Sequence, residues 1–226
     1  MISSNPSNLF YTVCAVFSHP DDVELLCYGT LARFKKQGSS ITILIVTGGK
    51  HGVSVDEERI PNLEDVRLSE TKHALKEISN DIRILNLPDG AVQFNGESIS
   101  MIESLFNELT PSIVLTHYTD QSGIDHQDHQ NVSKIVKNIC FRKNYVKFLL
   151  LTEPLKRGTD FNPNLFMQVG EFFQQKIKAL SSHNSQTGRN YLSENFHTNR
   201  SSVWISFLQI DTEEHVESFF ISKAIL

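Results

Sequence analysis

No stretch of the chain approaches the roughly 18 consecutive apolar residues of a membrane-crossing helix, so a soluble protein is expected, with the cytoplasm as its default location. Cysteine is scarce. The three present, Cys14, Cys27 and Cys140, are odd in number and far apart. They lack the paired spacings of a zinc ribbon or a disulfide framework, and they fit a reducing compartment and ordinary packing. The segment Met1 to Asn8 has no basic residue, hence no n-region of a secretory signal. The apolar stretch after it runs straight into the residues singled out below, which cleavage there would remove. Basic charge is not in excess either: 21 Lys and Arg stand against 26 Asp and Glu, for a net charge of −5. With no basic run of the kind that tracks a phosphate backbone, nucleic acid is not an expected partner. Repeats, low-complexity tracts and linkers are missing too. A chain of 226 residues then suffices for one sizeable core and not for two full-sized domains. We expect a single domain over 1–226, with a core at about 10–153 and a C-terminal lobe at about 154–226.

What is present is an alternation of two hydrophobic periods. Val13 to Phe17 is a short apolar run ending at a proline and two carboxylates, followed by a helical pattern from Val23 to Gln37 with Leu25, Tyr28, Gly29 and Ala32 on one face and Gly38 as the stop. Ile41 to Thr47 is β-branched almost throughout and too continuous for a half-exposed strand, which predicts a strand covered on both faces, as in a parallel sheet. It opens into Gly48-Gly49-Lys50-His51-Gly52, a loop able to bring backbone close to a ligand. Helical stripes follow over Glu64 to Ile78, through Ile102, Leu105, Phe106 and Leu109, and through Val132, Ile135, Val136 and Ile139. Between them fall short strands at Asp81 to Leu85, Ile113 to Thr116 and Val146 to Thr152, and a turn at Leu87-Pro88-Asp89-Gly90. Beyond Pro154 the composition loosens. A helix carrying Phe173, Ile177 and Leu180 is expected, then a polar stretch from Ser181 to Ser202 as a surface loop or short helix. Val203 to Ile210 and His215 to Ile225 read as paired strands or as a strand and a helix. The fold class is α/β: a Rossmann-like, mostly parallel sheet with helices on both faces and a small C-terminal extension.

Such a sheet invites a dinucleotide, yet the glycine-rich fingerprint is absent. After the first strand stands Ser18-His19-Pro20-Asp21-Asp22, where two carboxylates would repel pyrophosphate unless a cation intervened. An imidazole and a carboxylate two or three positions away can reach one divalent cation and leave a second carboxylate to move protons. The missing ligand is sought at the other strand end that carries such residues, Asp125-His126-Gln127-Asp128-His129. His126 and His129 lie one helical turn apart, so both rings can point to the crevice and either could be a ligand. Taken alone, Asp21 and Asp22 could be an N-cap and a first-turn acid, and a single histidine on this helix could be structural. Capping does not explain His19 and Pro20.

The stretch from Ala15 to Glu24, with Gly29-Thr30-Leu31 after it, resembles the opening motif of the PIG-L/LmbE-like zinc-dependent N-deacetylases, and Asp125 to His129 resembles their second motif. Thr47-Gly48-Gly49, the helix start Arg67-Leu68-Ser69-Glu70, Leu87 to Gly90 and Lys178 to Gln186 are similar as well, so the likeness runs from Cys14 to Gln186 and more faintly over Val216 to Phe219. The resemblance implies His19, Asp22 and His129 as ligands of one Zn2+, for which another divalent ion such as Fe2+ could substitute. It also implies Asp21 as general base, His126 facing the developing oxyanion, Asp128 orienting and charge-stabilising His126, and Arg67 reaching the substrate. Three protein ligands leave a coordination position open for water, which suits that division of labour. Arg67 taken alone could be an exposed arginine paired with Glu64 or Glu70. His183, Ser185 and Gln186 are read as structural or rim residues, and His51, His73, His197 and His215 as surface or packing residues. Two departures from the family pattern stand out: Gln127 where proline is usual, and Tyr28-Gly29 where two glycines are usual.

The expectation is therefore a metal-dependent amidohydrolase that removes the acetyl group from an N-acetylated amino sugar or sugar conjugate, the sugar resting on the resemblance alone. Its rivals are a metal-dependent phosphoesterase and a non-catalytic sugar-binding relative. A homo-oligomer is compatible with the sequence.

Overall fold

The computed structural model describes residues 11–52, 60–156, 160–210 and 214–225. β1 (Thr12–Phe17), β2 (Ser40–Ile45), β3 (Asp81–Ile84), β4 (Ile113–His117) and β5 (Phe148–Thr152) alternate with α1 (Asp22–Lys36), α2 (Leu63–Leu75), α3 (Gly96–Leu109) and α4 (Gln127–Arg142). β6 (Leu165–Gln168), α5 (Gly170–Leu180), α6 (Glu194–Leu208) and β7 (Val216–Ala224) complete the chain. All seven strands form one sheet in the order β3-β2-β1-β4-β5-β7-β6. The first five are parallel, and β7 runs antiparallel to both β5 and β6.

The continuous apolar runs have the expected cause. Along β1, Val13, Ala15 and Phe17 enter a core shared with α1, α2 and α5, while Cys14 and Val16 enter a second core shared with α3 and α4. Ile41, Ile43 and Ile45 of β2 face the first core and Leu44 the second. With a side-chain period of two and both faces covered, apolar residues stand on both faces of each strand. The three cysteines are buried and unpaired, consistent with packing.

Two segments differ from the sequence expectation, and a third settles an open choice. α1 is not a surface amphipathic helix: twelve of its fifteen residues are buried, and it is broken at Cys27, where φ is −152°. The break frees the N–H groups of Gly29 and Thr30, and the Glu217 carboxylate of β7 accepts both, at 3.0 and 2.8 Å. A buried carboxylate from the C-terminal region thus serves as an internal cap. Gly38 does stop the helix, with φ 90°, its N–H on the Lys35 carbonyl and that of Ser39 on Phe34. Of the two readings left open for the C-terminal segments, a helix and a strand is the one found: Val203 to Leu208 end α6, which Ser193 caps by accepting the Phe196 N–H at 3.3 Å. β6 lies just before the expected helix, where no element was expected. Both C-terminal strands extend the same sheet.

Between β1 and β4 the strand order reverses: β2 and β3 lie on one side and β5 on the other. At such a switch point the loops leaving the two strands diverge and open a crevice beyond their carboxyl ends. His19 to Asp22 leave β1 there, and His117 ends β4 there.

Candidate active site

A hydrogen bond joins the two strand exits: the Ser18 N–H donates to Nε2 of His117 at 3.0 Å. The next residues form a tight turn in which the His19 N–H donates to the Asp22 carboxylate (2.8 Å) and the Asp22 N–H to the His19 carbonyl (3.3 Å). Asp21 pays with an uncommon backbone conformation, φ 103°, of a kind that persists only where the surroundings over-determine it. Arg67, buried on α2, holds the turn. Its Nη2 donates to the Pro20 carbonyl at 2.6 Å and lies 3.2 Å from the Asp21 carboxylate, and its Nη1 donates to the Gly49 carbonyl at 2.9 Å. Gly49 has φ 67°, and a Cβ there would collide with the Arg67 guanidinium, which accounts for glycine in that loop. Arg67 is neither exposed nor paired with Glu64 or Glu70; Glu70 instead accepts from Ser185.

On the β4 side, His126 is the N-cap of α4, its Nδ1 accepting the Asp128 N–H at 3.1 Å. One turn on, His129 points back to β1. The Nδ1 of His19 lies 3.2 Å from Nε2 of His129 and 3.4 Å from Oδ2 of Asp22, and His129 Nε2 lies 3.5 Å from Oδ1 of Asp22. A tetrahedral zinc site with bonds of about 2.0–2.1 Å has donor-to-donor edges of roughly 3.3–3.4 Å. The three donors therefore fit one small divalent ion. The remaining ring nitrogens complete the pattern: Nε2 of His19 faces Asp128 (3.2 Å) and Asp89 (3.3 Å), and Nδ1 of His129 faces Asp125 (3.1 Å). A carboxylate behind a ligating imidazole fixes its tautomer and raises its basicity. His19, His126 and Asp128 also cluster, but the Asp128 oxygens are spent on the Gly90 N–H, the Val92 N–H and His19. His126 Nδ1 is itself occupied as an acceptor, so this second trio is a poor alternative.

Burial and charge set the protonation states. Burial raises the Asp21 carboxyl above the usual carboxylate range, an effect that Arg67 partly offsets. Burial also disfavours the charged form of Asp22, but His129 and His117 outweigh it and hold the carboxyl low. Burial opposes protonation of His19 and His129, yet the carboxylates around them prevail: His19 rises well above the ordinary imidazole value and His129 to about 9 without a metal. Burial, then His19 and His129, lowers His126. Burial lowers His117 to about 4, which keeps it neutral as the acceptor for Ser18.

The Asp128 carboxylate lies beside His126, as expected, and acts on it through charge, while its hydrogen bonds go elsewhere. Its side chain holds His19 and pins the 90–92 loop, while His126 receives its backbone N–H and a Coulombic pull. Gln127 donates to the Gly90 carbonyl at 2.9 Å, tethering the same loop. Tyr28 is in the core beside α2 and α5, away from the pocket, and Gly29 is tight against Val169, 2.6 Å from where a Cβ would stand. His183 is buried on Glu24 at 2.9 Å. Three partners were not assigned a role from sequence: His117, Asp89 and Asp125. Asp125 adjoins the second motif and Asp89 sits in the recognised turn. A histidine ending a parallel strand at a switch point was a signal for His117.

The cluster forms the floor of a pocket of about 500 Å³, walled by Arg67, Leu155, Gln186, Tyr191 and Phe196, within the usual range for small-molecule sites. Against this geometry the comparisons are decisive for family. The pattern described as PIG-L, GlcNAc-PI de-N-acetylase, matches residues 14–140, more than half of the chain. The chain belongs to the PIG-L family. It is 31% identical over 179 residues to the "Uncharacterized deacetylase YaiS" of Escherichia coli, covering 76% of this chain and 90% of that one. To the "Probable N-acetyl-alpha-D-glucosaminyl L-malate deacetylase 2" of Bacillus cereus it is 27% identical over 186 residues, covering 77% and 83%. Among solved structures, the PIG-L fold seen here is similar to N,N'-diacetylchitobiose deacetylase from Pyrococcus horikoshii, with TM-score 0.81, 18% identity and 96% and 86% coverage. It is also similar to GalB, a 4-carboxy-2-hydroxymuconate hydratase from Pseudomonas putida, with TM-score 0.78, 14% identity and 95% and 98% coverage. The fold alone thus does not choose the reaction, and the site must.

Proposed function

We propose that the protein is a zinc-dependent N-deacetylase acting on an N-acetylated amino sugar or sugar conjugate. The observation that carries this is the trio His19, Asp22 and His129 at tetrahedral spacing, with a separate buried carboxyl, Asp21, in the same pocket. His19 Nδ1, His129 Nε2 and the Asp22 carboxylate are the ligands. A zinc ion held there would supply Lewis acidity, polarising an amide carbonyl and lowering the pKa of water.

The chain's own groups do the rest. Asp21 takes the proton from the attacking water; its raised affinity for protons suits a base working near neutrality. Because His126 Nδ1 accepts a backbone N–H, its ring proton is on Nε2, so the neutral imidazole is a hydrogen-bond donor. It is assigned to the amide oxygen as negative charge grows there. His126 in this state has no second proton to give, so protonation of the leaving amine falls to Asp21, which returns the proton it took. Asp128 and Asp125 hold His19 and His129 in their ligating tautomers. Arg67 holds Asp21, with both terminal nitrogens already engaged, and contributes positive charge to the pocket wall.

A two-metal phosphoesterase would need a second complete ligand set, and the other trio shares His19 and has its oxygens spent. Acetate and phosphate release from panels of N-acetylated sugars and phosphoesters, with and without chelator, tests the proposal. Acetate release that chelation abolishes and zinc restores is expected; phosphate release alone, or acetate release indifferent to chelation, contradicts it.

A further inference from the structure

Helices α1, α2 and α5 enclose a separate cavity of about 620 Å³, which shares no lining residue with the catalytic pocket. Its floor is apolar: Ala32, Ala74, Ile78, Phe172 and Ala179 are buried there. In that floor stands Tyr28, only 2% exposed, whose hydroxyl has no hydrogen-bond partner among the described residues. The oxygen is not one of the fully enclosed unpaired polar atoms, so it opens to the cavity. We propose that this cavity binds a small organic phosphate, a phosphate monoester carried on an apolar or planar body. Such a ligand would be independent of the reaction assigned to the catalytic pocket.

The class of ligand follows from what surrounds the phenol. Lys35, Lys36, Lys76 and Lys178 stand around the cavity against Glu77 and Glu171, a basic excess in a chain whose net charge is −5. Glu171 is taken up by Lys36. The ammonium groups of Lys35 on α1, Lys76 at the end of α2 and Lys178 on α5 have no partner among the described residues, so each of the three walls brings one free cation. A lysine in the last turn of α1 and of α5 is favoured by the helix dipole alone. That does not explain a buried phenol left with nothing to donate to. Burial first, then Glu77 and Glu24, push the Tyr28 hydroxyl up to about 12, so at neutral pH it is a donor and not a competing anion. A phosphate monoester brings nearly two negative charges and three acceptor oxygens, which suits three ammonium groups and one phenol better than the single charge and two oxygens of a carboxylate. The apolar floor calls for an apolar or planar body behind the phosphate, as in most small-molecule sites.

Calorimetric titration of the zinc-loaded protein with phenyl phosphate tests the site, with phenol and inorganic phosphate as comparison ligands and the chelated protein as a control. One saturable site is expected, with an affinity at least about tenfold above that for either comparison ligand, unchanged by removal of zinc and weakened by added salt. Tyr28→Phe keeps the packed ring and removes only the hydroxyl. It should weaken binding about tenfold, as loss of a hydrogen bond to a charged group does. Lys35 and Lys178 are exposed, so Lys35→Gln with Lys178→Gln leaves the core untouched and should weaken binding about tenfold or more. No saturable binding, or wild-type affinity in either variant, would overturn the site. Binding that disappears with zinc would place the anion on the catalytic metal and overturn it as well. Equal affinity for phenol would overturn the anionic class of the ligand, and equal affinity for inorganic phosphate would overturn the part given to the apolar floor.

Discussion

Two clusters of buried charge lie along α1, one at its N-terminal end and one at its kink, and they differ in what is left over. At the kink, the Glu217 carboxylate accepts from Gly29 N, Thr30 N, Thr30 Oγ1 and Lys176 Nζ at 2.7–3.0 Å. Its hydrogen-bonding capacity is used within the fold, and only a void of about 30 Å³ adjoins it. At the N-terminal end, the inner nitrogens of His19 and His129 and the Asp22 carboxylate converge on a common point beside a pocket of about 500 Å³. Their outer nitrogens are engaged by carboxylates. Buried charge is thus no mark of function by itself. Donors held rigidly from behind while converging in front are.

Substitutions at the two clusters should fail in different ways. Asp21→Asn is expected to lower kcat by about 10²–10⁴-fold with zinc content and melting temperature near wild type, because it removes a proton acceptor and leaves the ligands in place. Glu217→Ala should do the reverse. Stranding buried Lys176 and the two kink N–H groups costs about 3–5 kcal/mol, a fall of roughly 6–20 °C in melting temperature, with turnover per folded molecule retained. A catalytic loss at Glu217 as large as that at Asp21 would erase the distinction. Asp125→Ala should weaken zinc binding about 10–100-fold by freeing the His129 tautomer, measured by competition with a chelator.

Most of the parallel half was legible because its forces are local. β1 read as a buried strand from its apolar run, β2 as a strand covered on both sides from its β-branched one, and Gly38 marked the end of α1. α6 was not, because its buried stripe is His197, Ser201 and Ile205, a helical spacing hidden in polar residues, while Val203 and Phe207 are exposed. The proposed ligand trio lay within two short motifs. The partners behind it depend on distant chain: Ser18 and His117 meet across 99 residues, and Asp89 reaches His19 from a loop that Thr47, Asp128 and Gln127 hold. For the same reason sequence reasoning reached the charge of Asp128 on its neighbour His126 and not its hydrogen bond to His19.

Proton linkage gives a smaller effect that sharpens the same contrast. Without metal, His19 and His129 hold protons at neutral pH, His129 up to about 9. A cation binds only the unprotonated rings, so uptake must release protons, and affinity should rise about tenfold or more per pH unit from 6 toward 9, flattening as His129 loses its own proton. Calorimetry in buffers of different ionisation enthalpy reads the number released; none released at pH 7 would contradict the assigned protonation.

The most direct test is anomalous diffraction at the zinc edge from crystals of the zinc-loaded protein. A single peak about 2.0–2.1 Å from His19 Nδ1, His129 Nε2 and the Asp22 carboxylate is predicted, with Asp21 outside bonding distance. A peak bound instead by His126 and Asp128, or Asp21 among the ligands, would contradict the division between metal holders and proton carrier.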